Sequence, residues 1–175
     1  MTGPTIAIAT PQEAEALIPA LADILIDCVE GEASIGFMLP LAREEAEAFW
    51  RGVAARVAEG STLLHVAYLD GQPVGTVLLS PENRANQPHR ADVQKLMVHR
   101  RGRNLGIAGA LMAALEESAR AEGRIVLCLD TATGSSAERL YQNLGWQKAG
   151  VIPRYALWPQ GGYCDTTLFW KDLDR

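Results

Sequence analysis

The chain has 175 residues, of which 48% are hydrophobic and 21% charged, with a formal net charge of -5. This length and apolar fraction suit one compact domain, which we predict to span 1–175, and the acidic balance argues against nucleic-acid binding, which needs a broad basic surface. No apolar stretch approaches the roughly eighteen residues of a membrane span and no leader pattern opens the chain, so we expect no membrane association and a cytoplasmic protein.

Hydrophobic periodicity predicts a strand and two helices in the N-terminal third, at 5–9, 13–29 and 43–59. The dipeptide Asp70-Gly71 then separates the apolar runs 61–69 and 73–80. Such a dipeptide between apolar runs is a strong signal for a two-residue β-hairpin. We therefore predict antiparallel strands in this region.

The second half alternates predicted strands with predicted helices. The unbroken apolar run 125–129 predicts a strand covered on both faces. Ser135 and Glu138 have the spacing of a capping box, which predicts a helix, and Gly145 is placed to end it. The other elements are strands at 91–98, 146–155 and 163–171 and a helix over 108–119. This order predicts an α+β domain, layered αβα, with a mixed sheet covered by helices.

The most informative segment is the basic, glycine-punctuated turn 100–108, between a predicted strand and a predicted helix. The free N–H groups and the positive dipole end of a helix favour an anion, and Gly106 lets a phosphate approach the backbone. Neither the G-x-G-x-x-G spacing of dinucleotide folds nor the P-loop spacing is present in this loop. The turn therefore predicts a phosphate-rich ligand of another kind.

Cysteine and histidine spacing gives no sign of a metal site. The cysteines, Cys28, Cys128 and Cys164, are scattered and form no C-x-x-C pair. The three histidines have no ligand spacing with them, so we expect no metal. Reduced thiols agree with a cytoplasmic protein.

Two motifs carry a resemblance to a known family. Residues 103–108 read R-x-x-G-x-A, which resembles the acetyl-CoA-binding motif of the GNAT superfamily of N-acetyltransferases. Ala137, Tyr141 and Gly145 match the A-x-x-x-Y-x-x-x-G pattern that the family often carries on its last helix. The resemblance covers nearly the whole chain and implies the GNAT fold, with a mixed, mostly antiparallel sheet of about seven strands flanked by about four helices.

Three further stretches, 31–38, 90–98 and 129–135, resemble the tabtoxin resistance acetyltransferases within that superfamily. Those relatives carry glutamate where this chain has Asp92, which shortens the reach of the carboxylate by one methylene. The resemblance implies acetyl-CoA as cofactor and direct transfer of its acetyl group to the primary amine of a small molecule, such as an amino-acid-like metabolite, toxin or antibiotic. The oligomeric state is left open, with a homodimer as one alternative.

The resemblance also implies three groups of site residues. The candidate catalytic residues are Asp92, Asp130 and Tyr141. The residues expected to bind acetyl-CoA are Leu96, Met97, Val98, Arg101, Arg103, Asn104, Leu105, Gly106, Ile107, Ala108, Ser136 and Asn143. The residues expected to bind the acceptor are Ser34, Phe37, Met38, Gln94 and Lys95.

The chemistry explains why carboxylates and a tyrosine are candidates. An amine with a lysine-like pKa of about 10.4 needs roughly 4.6 kcal/mol to lose its proton at pH 7, so a base must take it. Asp92 and Asp130 divide the tasks of orienting the amine and removing its proton, and Tyr141 is placed to protonate the departing thiolate. Structural alternatives stay open, because Tyr141 is equally a core aromatic and the two aspartates suit a strand start and a turn cap.

Two other functions stay open. Protein or peptide acetylation predicts an open cleft with room for an extended chain. A non-catalytic sensor would bind acetyl-CoA without transfer. Thiol release with a panel of amines separates these alternatives.

Overall fold

The structure is a computed structural model that describes residues 3–174, so Met1, Thr2 and Arg175 of the predicted domain lie outside the described residues. The strands are β1 (Thr5–Ile8), β2 (Leu63–Leu69), β3 (Gln72–Pro81), β4 (Arg90–Val98), β5 (Val126–Ala132), β6 (Gln147–Leu157) and β7 (Tyr163–Asp172). The helices are α1 (Pro11–Ala16), α2 (Ile18–Glu30), α3 (Arg43–Ala58), α4 (Ile107–Ala121) and α5 (Ser136–Asn143). No described helix is long and apolar enough to cross a bilayer.

The seven strands form a sheet in the order β1-β2-β3-β4-β5-β7-β6. The β4–β5 pair is parallel and the other neighbours are antiparallel, which confirms the predicted mixed, mostly antiparallel sheet. Asp70 and Gly71 both have positive φ, 48° and 75°, as a tight hairpin turn of the twisted β2–β3 ribbon requires.

Helices cover both faces of this sheet. One core packs α1, α2 and α3 against one face, around Leu25, Trp50 and Met97. The other packs α4 and α5 against the opposite face, around Leu115, Tyr141 and Phe169. The predicted αβα layering is therefore confirmed.

The prediction of one helix over 13–29 is wrong, because two helices meet at Leu17. Pro19 lies in the first turn of α2, where its missing N–H leaves no hydrogen bond unmade. Thr10 and Glu13 form a complete capping box that starts α1. Hydrophobic periodicity runs through both helices, so it does not register the break.

The feature that positions the site is the short pairing of β4 with β5. The two strands are paired only from Arg90 to Asp92 on β4 and from Val126 to Cys128 on β5. Beyond these residues no pairing joins the two strands, so 93–98 on β4 and 129–132 on β5 each leave an unpaired edge towards the other; we call the space between these edges the cleft. The loop 99–106 leads β4 into α4.

Candidate active site

The N-terminus of α4 is built to receive an anion. Gly106 precedes the helix with φ of 75°, and no side chain caps the first turn. A Cβ placed on Gly106 would meet no atom within 4 Å, so the end of the helix faces open space. The first-turn N–H groups, including those of Ile107 and Ala108, are therefore free to bind a phosphate.

Contacts of three residues fix the basic loop 99–106 to the sheet and to α4. Arg101 Nη2 donates to the Pro73 carbonyl at 2.6 Å. Gly102 is buried, and a Cβ there would lie 3.0 Å from Ile107 Cδ1 and 3.3 Å from Val74 Cβ, so a larger residue would push its neighbours aside. Arg103 Nε donates to the Val98 carbonyl at 3.2 Å. These contacts tie both ends of the loop to the sheet and the helix.

A buried carboxylate that the sequence analysis missed supports the same loop. Asp27, at the C-terminal end of α2, is 5% exposed and accepts a hydrogen bond from the Arg100 backbone N–H at 2.8 Å. Its carboxylate also pairs with the Arg100 side chain and with Arg103 Nη2, at 3.4 Å in the second case. Its position on the apolar face of α2, beside Ile24 and Cys28, was the available signal.

Electrostatics around Asp27 favour its charged form. Burial by itself would raise the pKa of Asp27, but the hydrogen bonds from Arg100 and the nearby charges of His99 and Arg100 outweigh burial and lower it. The ring of His99 lies 3.7 Å from the carboxylate. Burial and the neighbouring arginines lower the pKa of His99, although Asp27 opposes this shift. Asp27 therefore stays an anion beneath an arginine-rich loop.

The free edge of β4 presents backbone groups to the cleft. His99 N–H bonds the Val74 carbonyl at 2.8 Å, one residue beyond the Gly75–Val98 pair, so the N–H and C=O of Val98 point away from β3. Met97 differs, because its side chain is buried in the core and its carbonyl lies against Gly75 of β3. The side chain and the carbonyl of Met97 thus point away from the β5 edge, and its place in the predicted cofactor set stays a prediction.

A β-bulge redirects Lys95. Thr76 pairs with Met97 and Leu78 with Gln94, so two residues of β4 oppose one of β3, and Lys95 has φ of 53°. Lys95 Nζ donates to the Ile35 carbonyl at 2.6 Å. It also lies over the rings of Phe37 and Phe49, 5.7 Å and 5.4 Å from their centroids.

Asp92 and Asp130, the two candidate carboxylates, lie on the face of the sheet that α1, α2 and α3 cover, but they differ in their partners. Their neighbours in sequence, Val93 and Leu129, pack in the α4 core, so strand alternation directs Asp92 and Asp130 to the opposite face. Asp92 is bound by the Arg90 guanidinium. Asp130 is exposed and has no ion pair among residues 3–174.

Tyr141 lies close to Asp130 from the other side. It is 5% exposed, and its ring packs against Trp146 and Phe169 with centroids 5.9 Å away in each case. Burial and the nearby charge of Asp130 raise the pKa of Tyr141, so the phenol keeps its proton. The phenol is therefore protonated at neutral pH and is a weaker acid than a free tyrosine, so any proton it supplies goes to a strongly basic group.

The remaining predicted residues are dispersed around this centre. Ser34 Oγ is used to bind the Leu157 carbonyl at 3.0 Å. Gln94 and Met38 are exposed, and the side chain of Ile107 is buried, which leaves only its backbone for a ligand. On the cofactor side, Asn104, Leu105, Ser136 and Asn143 are all exposed, the last two at the ends of α5.

The predicted capping box of α5 forms in part. Ser135 Oγ accepts from the Glu138 N–H at 3.2 Å, as predicted. The Glu138 carboxylate accepts from the Gly134 N–H and from Thr167 Oγ1 instead of returning to Ser135. Hydrogen bonds from Gly134 and Thr167 lower the pKa of Glu138 despite its burial. These hydrogen bonds tie the turn after β5 to α5 and β7.

Comparisons with known proteins agree with this geometry. The acetyltransferase (GNAT) family model matches residues 19–146. An uncharacterised N-acetyltransferase from the hisH-hisA intergenic region of Azospirillum brasilense is 32% identical over 152 residues, covering 85% of this chain and 89% of that protein.

Solved structures share the fold over nearly the whole chain. YncA of Salmonella typhimurium, determined with its cofactor acetyl-CoA, has a TM-score of 0.79 and 20% identity and covers 99% of this chain and 96% of its own. A ribosomal-protein-alanine N-acetyltransferase of Brucella melitensis has a TM-score of 0.78 and 26% identity, over 97% of this chain and 99% of its own. The chain belongs to the acetyltransferase (GNAT) family and is an acetyl-CoA-dependent acyltransferase.

Proposed function

We propose that this enzyme transfers an acetyl group from acetyl-CoA directly to the primary amine of a small, amino-acid-like molecule. The observation that carries the proposal is a pair of hydrogen bonds that joins the segment 31–42 to the end of β6 and to the turn after it, on the side where we place the acceptor. The segment 31–42, between α2 and α3, is bound to the β6–β7 turn, with Leu39 N–H donating to the Pro159 carbonyl at 2.9 Å and Ser34 Oγ to Leu157 at 3.0 Å. An extended peptide needs an open groove here.

The residues at the β4–α4 end fit the cofactor. The uncapped N-terminus of α4 opens onto free space at Gly106, which suits the pyrophosphate. Arg103 and Arg101 add positive charge, and the outward N–H of Val98 suits an amide carbonyl of the pantetheine arm, whereas the Val98 carbonyl already accepts from Arg103 Nε. Acetyl-CoA supplies the reactive acetyl thioester.

The polar residues on the cleft then divide the acid and base roles. Asp130 has no ion pair within residues 3–174 and accepts the proton of the acceptor amine, directly or through water. Asp92, held by Arg90, orients the amine. Tyr141 carries the proton that the leaving thiolate takes, and a second backbone N–H of β4, near Leu96, stabilises the negative charge that develops on the acyl oxygen.

The sequence resemblance to the tabtoxin resistance acetyltransferases supports an amino-acid-like acceptor and a role in resistance to a toxin of that kind. The competing candidate is acetylation of a protein N-terminus, which the likeness to the Brucella ribosomal-protein-alanine enzyme favours. The homodimer stays a prediction that light scattering of the purified protein tests.

Acetyl-CoA-dependent thiol release with three groups of acceptors tests the proposal. The groups are free amino acids, simple amines, and peptides with a free N-terminus. Turnover with free amino acids above the other groups supports the proposal. Turnover confined to peptides supports the competing candidate, and tight acetyl-CoA binding without turnover in any group identifies a sensor.

A further inference from the structure

Lys95 is a half-buried cation that forms no ion pair with any residue the structure describes. Its ammonium has one hydrogen bond, to the neutral Ile35 carbonyl, and lies over the Phe37 and Phe49 rings. Within residues 3–174 no carboxylate lies at ion-pair distance from Nζ. Buried charges in proteins are generally paired, because the loss of hydration is costly.

The backbone adopts an uncommon conformation to put this ammonium in the cleft. Lys95 is not a glycine, yet its φ is 53° within the β4 bulge. A bulge changes the direction of a side chain, and a positive φ in a residue with a Cβ persists only where surrounding contacts hold it. The contacts that hold Lys95 come from the 31–42 segment and from α3, which cover the acceptor side.

The charges around Lys95 complement an acceptor that carries both a positive and a negative group. Asp130 attracts Lys95 at longer range, without an ion pair, and lies on the same face of the sheet. A molecule with an amine and an acidic group satisfies both residues, since the amine faces Asp130 and the anion faces the remaining N–H groups of Lys95. In a peptide the carboxylate of the N-terminal residue is consumed in an amide bond, so this complementarity is lost.

We propose that the Lys95 ammonium binds the acidic group of the acceptor, which makes a free amine-bearing acid the substrate class of this enzyme. This inference rests on the proposed function, because it concerns the same cleft. Lys95 is thus a specificity residue, and acetyl-CoA binding does not depend on it.

The experiment compares each standard L-amino acid with its primary amide, which keeps the shape and the amine but removes the acidic group. The wild-type enzyme is expected to prefer the acid in kcat/KM. Lys95→Met should raise KM for the acid about 10- to 100-fold, the loss expected for a hydrogen bond between charged groups, and leave the amide unchanged. Lys95→Arg keeps the charge and should retain most of the preference.

Lys148→Met is the matched control, because Lys148 is an exposed β6 lysine that pairs with Glu138 on the opposite face. Calorimetric affinity for acetyl-CoA should be the same in all variants, which shows that they fold; Lys95→Gln replaces the methionine variant if that variant does not bind.

A preference for the acid that survives both uncharged variants overturns the inference, as does turnover with amides or peptides but no free acid, although acetyl transfer then still stands. Absence of thiol release with any amine, despite acetyl-CoA binding, overturns the proposed function as well.

Discussion

The carboxylate of Asp27 accepts a hydrogen bond from the backbone N–H of Arg100 at 2.8 Å, which joins the end of α2 to the loop that precedes α4. Since α2 packs on the face of the sheet that carries Asp92 and Asp130, one buried residue joins that face to the basic loop. Asp27→Asn should weaken acetyl-CoA binding about 10-fold and lower the free energy of unfolding by about 1–3 kcal/mol, since a charged acceptor of several hydrogen bonds is lost.

Calorimetry with acetyl-CoA and urea unfolding measure these two effects. Asp23→Asn is the control, because Asp23 lies on the same helix but forms an exposed ion pair with Arg43. Equal cofactor affinity in Asp27→Asn and Asp23→Asn would show that Asp27 does not position the loop.

Gly106→Asp should weaken acetyl-CoA binding at least about 100-fold, because it adds bulk and negative charge where a phosphate is expected. Gly123→Asp is a matched control, since Gly123 follows the other end of α4 with φ of 70° and equal open space. Both variants carry the same backbone strain of about 1–2 kcal/mol. Similar affinities in titrations of the two variants would contradict the assignment of the phosphate site.

Tyr141→Phe should lower kcat about 100-fold and leave the affinity for acetyl-CoA nearly unchanged, because the ring and its packing are kept while the acid is lost. Burial raises the pKa of Tyr141, so the wild-type rate should show no loss from tyrosine ionisation between pH 7 and about 9. Tyr155→Phe, at an exposed tyrosine, is the control for steady-state kinetics. An unchanged kcat in Tyr141→Phe would show that Tyr141 has a structural role and is not the acid.

Asp130→Asn should reduce kcat/KM about 100-fold, and Asp92→Asn less than about 10-fold. The difference is expected because Arg90 already occupies the Asp92 carboxylate, whereas Asp130 has no ion pair among the described residues. Steady-state kinetics with the acceptor that gives the fastest thiol release measures both. The reverse order would make Asp92 the base and Asp130 the orienting group.

Because His65 is buried, we expect the folded protein to lose stability in mild acid. It is fully buried, its Nε2 lies 2.8 Å from Ser118 Oγ, and burial lowers the pKa of His65 to about 4. The unfolded chain binds this proton near pH 6.5, so about 3 kcal/mol of stability is present above pH 6.5 and is lost as the pH falls to about 4.

Urea unfolding at several pH values tests this expectation. His65→Gln should flatten the dependence between pH 6.5 and 4, whereas His89→Gln, at an exposed histidine, should not. The pKa of Asp27 is lowered, so its contribution is lost only at more acidic pH, below its unfolded value of about 3.9. An unchanged slope in His65→Gln would place the acid-sensitive group elsewhere.

Most of the fold was predictable from local signals. Asp70-Gly71 specifies a turn by its own φ preferences, and the alternation of strands and helices specifies the layers. The break between α1 and α2 was not predictable from the sequence, because Leu17 continues the helical periodicity and Pro19 is tolerated in a first turn. The β4 bulge was also not predictable, since Lys95 is an ordinary residue for a strand and adopts positive φ only because its tertiary contacts hold it there.

The sequence by itself determined the class of ligand, because the glycine and arginines of residues 100–108 act through a neighbouring helix N-terminus that lies next to them in the chain. Only the tertiary structure decided what surrounds the charged groups of Asp27 and Lys95. Asp27 reaches Arg100 across 73 residues, and Lys95 reaches Ile35 across 60. The partners of a buried charge are set by which distant segments pack against it, and no local pattern in the chain records that packing.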